Sequence, residues 1–98
     1  MPTYIRLLRF SEQSMKDLKH LRDRVAAAKK AYSDAGAELK QVFMVMGQYD
    51  MVAVVEAPDD ECVAKVALAQ AALGAFRSTE TMRAFTEDEV AKIVGAMK

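Results

Sequence analysis

Cysteine occurs once in this chain, at Cys62, which excludes an internal disulfide and every multi-cysteine metal or redox motif. Histidine also occurs once, at His20, and together with scattered carboxylates it shows no metal-ligand spacing. An excess of positive charge is missing too. Lys plus Arg and Asp plus Glu each total 14, so no net field draws in a phosphate backbone, and nucleic acid is not an expected partner. No apolar run approaches the roughly 18 residues of a membrane-spanning helix. Met1-Pro2-Thr3-Tyr4 leads straight into a strand-like run, without the basic stretch and apolar segment of a secretory signal. Ser11, Ser14, Ser33 and Ser78 show no nucleophile-elbow context. These absences give the expectation of a cytoplasmic protein with no cofactor and no membrane partner.

What is present is a chain of 98 residues, 52% of them hydrophobic, the size of one domain spanning residues 1–98. A chain of this length buries about two thirds of its unfolded surface and needs no metal or disulfide to fold. Thr3 to Phe10 is rich in β-branched, aromatic and leucine residues and ends at Ser11, which predicts a strand followed by a helix N-cap. Apolar Leu18, Leu21, Val25, Ala28, Tyr32 and Ala35 recur at spacings of three and four, predicting one long amphipathic helix from Ser11 to a stop at Gly36. Leu39–Met46 and Met51–Ala57 flank the turn-forming Gly47-Gln48-Tyr49-Asp50 and predict a hairpin with Met46 opposite Met51. Asp59 is the expected cap of a second helix that runs to Leu73 and stops at Gly74. Phe76 to Phe85 predicts a fourth strand. Thr86 with Glu89 has the form of a capping box for a last short helix through Ala96.

The order is β-α-β-β-α-β plus a terminal helix, which predicts an α+β, ferredoxin-like sandwich with a four-stranded antiparallel sheet. Two helices cover one face of such a sheet, so a monomer needs the other face to be polar. Here Val42, Met44, Met46, Met51, Ala53 and Val55 share one hairpin face, and Phe43, Val45, Val52 and Val54 join Gln41 and Glu56 on the other. A second copy of the chain is the simplest cover, giving a homodimer or larger homo-oligomer of the dimeric α+β barrel kind. The alternative cover is the terminal helix, folded back.

Met46 to Met51, the Val-Glu-Ala-Pro-Asp-Asp turn at Val55 to Asp60, the opening Met1 to Tyr4, Gly74 and the segment Arg77 to Phe85 together resemble the GYD-domain family over nearly the whole chain. The family's Gly-Tyr-Asp is here Gly47-x-Tyr49-Asp50, with Gln48 between. The resemblance implies a small protein with no established activity. A wider resemblance is to the ligand-sensing domains of the Lrp/AsnC regulators, which carry a Gly-x-Tyr-Asp turn and a Thr-x-Thr segment in the last strand. It implies dimers formed through the sheets and amino-acid binding near the turn. The chain starts at its first strand, leaving no room for a helix-turn-helix, so sensing would act through a separate partner. The dimeric α+β barrel monooxygenases share the topology, which implies an apolar cavity between helices and sheet.

Candidate ligand-binding residues are Gly47, Tyr49 and Asp50 in the turn, with Arg6, Glu80 and Arg83 on the strands beside them. The turn residues have a structural reading: Gly47 takes a positive φ, Asp50 bonds turn amides and Tyr49 packs beside the sheet. In the functional reading they hold a small polar ligand at a subunit junction, with Asp50 pairing an amino group. A cation inside a strand must reach water, an acid or a bound anion, and Glu80 and Glu56 are the expected acids for Arg6 and Arg83. His20 has the right intrinsic pKa for a general base, but no sequence neighbour orients it. Cys62 reads as an inert thiol, because Asp59, Asp60 and Glu61 oppose the helix N-terminus. Met44, Met46, Met51 and Met82 read as gap-filling residues or a pliable pocket lining. The function expected is small-molecule binding or an accessory sensor role in an oligomer. The alternatives are a cofactor-free oxygenase or isomerase using Tyr49, His20 or Arg83, and a structural oligomer without ligand.

Overall fold

The computed structural model describes all 98 residues. Strand β1 (Thr3–Phe10) alternates strictly, with Tyr4, Arg6, Leu8 and Phe10 buried and the residues between them half-buried. Beyond it lie α1 (Glu12–Met15), a single 3₁₀ turn (Leu18–His20) and α2 (Leu21–Asp34). The hairpin strands are β2 (Glu38–Met44) and β3 (Met51–Glu56), followed by α3 (Asp60–Ala72), β4 (Phe76–Ala84) and α4 (Glu87–Gly95). All pairings are antiparallel and the strand order is β2-β3-β1-β4, the ferredoxin-like arrangement.

The helix expected as one piece from Ser11 is broken. Ser11 caps α1 by accepting the Ser14 N–H, and the Ser14 hydroxyl donates to the Ala75 carbonyl at 2.7 Å, pinning this turn to the start of β4. Asp17 then leaves helical geometry, at φ −124° and ψ 37°. The carbonyls of Ser14 and Asp17 at the break accept the Asp17 and His20 N–H groups, and each also accepts from Nη2 of Arg24, one turn inside α2. A side chain thus adds to the short-range backbone bonds on both sides of the break and ties them to α2.

The hairpin register is two residues from expectation: Met44, not Met46, opposes Met51. The Val45 N–H donates to the Asp50 carbonyl, leaving Met46-Gly47-Gln48-Tyr49 as the loop and Met46 fully exposed. Gly47 sits at φ 117°, a conformation that L side chains rarely adopt. Because the slip is two residues, each side chain keeps its face. Val42, Met51, Ala53 and Val55 point to the helices; Phe43, Val52 and Val54 point away, beside Ile5, Leu7 and Met82. The methionines therefore do not group: Met51 is core, Met82 lies on the open face and Met46 is at the loop tip.

Nor does α4 fold back over that open face. It packs closely against no other element, and its apolar Val90, Ile93 and Val94 are 44%, 49% and 58% exposed. Its capping box forms as expected, with Thr86 accepting from the Glu89 N–H and Glu89 from the Thr86 N–H. The covered face holds two separate cores. Tyr4, Tyr32, Ala37, Val55, Ala57, Val63 and Val66 form one, and Leu8, Phe10 and Met51 the other. Arg6 and Ala53 lie between them in the strand register. Only 13 residues are buried, and Leu21, Val25 and Ala28 of the α2 stripe are not among them, so the helical layer does not close on the sheet.

Candidate functional site

The gap left by that incomplete closure is a cavity of about 570 Å³ between α1, α2 and the end of α3 on one side and the sheet on the other. Fifteen of its 23 lining residues are hydrophobic, Leu8, Phe10, Val25, Val42, Met51 and Phe76 among them. The volume falls in the range of small-molecule sites, roughly 300–1,000 Å³. Phe10 and Phe76 stack with centroids 6.2 Å apart, fixing one wall.

Arg6 enters this cavity from the middle of β1 and is 1% exposed. Its Nε donates to the Thr81 hydroxyl at 3.1 Å and its Nη1 to the Tyr32 hydroxyl at 2.8 Å and to the Gln70 side-chain oxygen. Nη2 has no hydrogen-bond partner in the protein. Arg6 takes part in none of the six ion pairs, so the expected salt bridge to Glu80 or Glu56 does not form. The reason is the pleat: Arg6 points to the helices, while Glu80 and Glu56 stand opposite Leu7 and Thr3 on the open face.

The Gly47–Asp50 turn builds a different place, at the hairpin end of β1. The Asp50 N–H donates to the Leu8 carbonyl, and the Asp50 carboxylate accepts the Phe10 N–H at 2.8 Å. The β1–β3 pairing ends at Leu8 opposite Met51, and the Asp50 side chain, just before β3, supplies the acceptor for the next N–H on that side of β1. On the open face the Tyr49 ring lies 4.7 Å from the Arg9 guanidinium, which also donates to the Gln48 carbonyl. The Tyr49 hydroxyl donates to Glu80, and this bond to a carboxylate raises the Tyr49 pKa above its ordinary 10.0.

A third polar group forms where β1 and β4 meet the helix starts. The Tyr4 hydroxyl donates to the Asp60 carboxylate, and that bond, with burial of the ring, pushes its pKa up to about 12. Arg83 lies 5.8 Å from the Tyr4 ring and pairs with Glu89 at 3.1 Å, not with Glu80 or Glu56. The Thr86 N–H first and the Arg83 guanidinium second hold the Glu89 carboxyl below its ordinary range. His20 is exposed, and Asp17 holds its Nδ1. Their hydrogen bond raises the imidazole pKa and lowers that of the carboxyl. The orienting acid lay three residues away, just before the 3₁₀ turn.

The six candidate ligand residues thus fall in three places. Gly47, Tyr49, Asp50 and Glu80 converge at the hairpin end, Arg83 stands at the opposite end of β4, and Arg6 is alone among them in the cavity. Sequence reasoning passed over Arg9, Arg24, Tyr32, Gln70 and Thr81. Tyr32 carried a usable signal, since a tyrosine on the buried stripe of a helix needs a partner for its hydroxyl. Cys62 is half-buried, with its thiol donating to the Ala35 carbonyl.

A ferredoxin-like sheet with helices on one face and a pocket beneath them defines the class of small α+β domains to which this fold belongs. The chain is a member of the GYD domain family, whose model matches residues 4–94. No curated protein matches it in sequence. Among solved structures, TTHA0845 from Thermus thermophilus is 29% identical, with a TM-score of 0.57 over 88% of this chain and 95% of that one. MtbAldR is 10% identical with a TM-score of 0.69, over 88% of this chain and 54% of that one. Hypothetical protein PHS023 from Pyrococcus horikoshii is 18% identical with a TM-score of 0.59, over 89% and 93%. The last two likenesses are of fold alone. No helix is long and apolar enough to cross a membrane.

Proposed function

We propose that this protein is a small-molecule-binding module of the sensor or accessory type, a single domain that works as a homo-oligomer assembled through its open sheet face. The observation that carries the binding role is the largely apolar cavity beneath α2, of small-molecule size and holding an incompletely partnered buried arginine. The assembly role rests on Ile5, Leu7, Phe43, Val52, Val54 and Met82, which form an apolar field that α4 leaves uncovered. In this reading the Arg9–Tyr49–Glu80 cluster borders the assembly contact, and Asp50 serves the fold rather than the ligand. A metabolite panel is expected to contain compounds that raise the melting temperature, since a ligand selective for the native state stabilises it by mass action. The same compounds should shift the amide resonances of Leu21, Val25 and Val42. A broad panel that moves neither quantity would overturn the binding role.

A cofactor-free isomerase or oxygenase is the second reading. The observation in its favour is that Asp17, which lines the cavity, holds Nδ1 of the exposed His20, the kind of pairing that orients an imidazole for proton transfer. A His20→Ala variant that keeps an activity once one is found removes this reading.

A further inference from the structure

We infer that the cavity takes an apolar small molecule bearing a single carboxylate, with the Arg6 guanidinium as its anchor; this deepens the binding role proposed above and rests on it. A guanidinium stays charged at every pH the fold survives, and burying it is costly unless a counter-charge and full hydrogen bonding compensate. Arg6 has neither. Its three protein partners, Thr81, Tyr32 and Gln70, are all neutral, and its Nη2 donates to nothing. Replacing the arginine with an apolar residue of similar length would remove that cost, so its presence on the cavity floor needs a reason outside the fold.

A carboxylate supplies the missing charge and the missing acceptor together. The charges around the cavity agree in sign. Arg6 and Arg24 line it against a single acid, Asp17, which is engaged with His20, while the lining Lys16 is exposed and paired with Glu12. Arg24 repeats the pattern: its Nη2 is tied to the Ser14 and Asp17 carbonyls, yet its buried Nε has no partner. Most of the remaining wall is apolar, with Leu8, Phe10, Met51, Leu21, Val25 and Phe76 facing a polar minority of Gln13, Ser14 and Gln70. That apolar majority suits an alkyl or aryl body better than a sugar or a phosphate ester, whose many polar atoms would be buried against it.

The test is titration calorimetry on the intact protein with octanoate and 2-naphthoate, against octan-1-ol and 2-naphthol, which match them in body and lack the charge. The expected result is binding of the carboxylates at least about tenfold tighter than the alcohols. Arg6→Met should abolish that preference while leaving alcohol affinity within about threefold. Amide shifts at Leu8, Val25 and Val42 should place the probes beneath α2. Should Arg6→Met not fold, the wild-type carboxylate-to-alcohol ratio decides alone. Equal affinity for acids and alcohols overturns the inference and leaves the binding role standing. Failure of all four probes also overturns it, whereas the binding role itself falls only with a silent metabolite panel.

Discussion

Asp50→Ala is the substitution that separates a turn built for the fold from a turn built for a ligand. The Asp50 carboxylate accepts the Phe10 N–H at 2.8 Å, beyond the point at which the β1–β3 pairing ends at Leu8 and Met51. Phe10 is 4% exposed, so without Asp50 its N–H is left buried and unpaired. A hydrogen bond to a charged group contributes about 1.5–3 kcal/mol, and Asp50 itself is only half-buried, which favours the lower half of that range, about 1.5–2 kcal/mol. For a domain of this size each kcal/mol moves the melting temperature by roughly 4–8 °C, so Asp50→Ala should lower it by roughly 6–16 °C. Asp50→Asn keeps an acceptor without the charge and should lose about half as much. Thermal unfolding followed by circular dichroism at fixed protomer concentration measures both, since assembly ties stability to concentration. A melting temperature for Asp50→Ala within about 2 °C of wild type would refute the reasoning, because the orphaned N–H would then cost nothing.

Four further outcomes follow from the same geometry. Gly47→Ala meets no atom within 4 Å of the added Cβ, but it must adopt φ 117°, so thermal melts should show a loss of about 1–2 kcal/mol that is conformational alone. In alkaline ultraviolet titration Tyr4 should resist ionisation to about pH 12, and Asp60→Asn should bring its midpoint down towards 10.0; an unchanged midpoint would mean that the Tyr4–Asp60 bond is not the cause. NMR titration should find the His20 pKa above 6.5 and falling in Asp17→Asn. By linkage the imidazole's contribution to stability is fully present below pH 6.5 and fades as the pH rises through the shifted value, while that of Asp17 is lost as the pH falls through its lowered pKa; a flat pH–stability profile across both windows would contradict the pairing. Val54→Lys, central on the open face, should reduce the sedimentation mass to that of a monomer, and an unchanged mass would clear that face of any assembly role.

The element order was legible because each segment stated its own period and its own stop. Alternation in Thr3–Phe10, glycines at 36 and 74, the Asp59 cap and the Thr86–Glu89 box all act within a few residues, and the fold obeys them. What failed to show were effects that cross the chain. The break after Met15 depends on Arg24 reaching back to two carbonyls and on Ser14 reaching Ala75, neither visible in a helical spacing. The hairpin slipped by two residues because Asp50 bonds β1 as well as β2, although the faces survived, since the pleat has a period of two. The candidate site was legible in kind and not in place. As a cation inside a strand Arg6 must reach water, an acid or a bound anion, but its face could be assigned only once the sheet showed which side the helices cover. Tyr32, Gln70 and Thr81 meet around it from separate stretches of the chain.

The claim at the centre is that the chain binds a small molecule as part of an assembly, and native mass spectrometry on protein isolated gently from its producing cells tests both halves together. The account predicts a dimer or larger species carrying extra mass in proportion to the number of subunits. A bare monomer would contradict it.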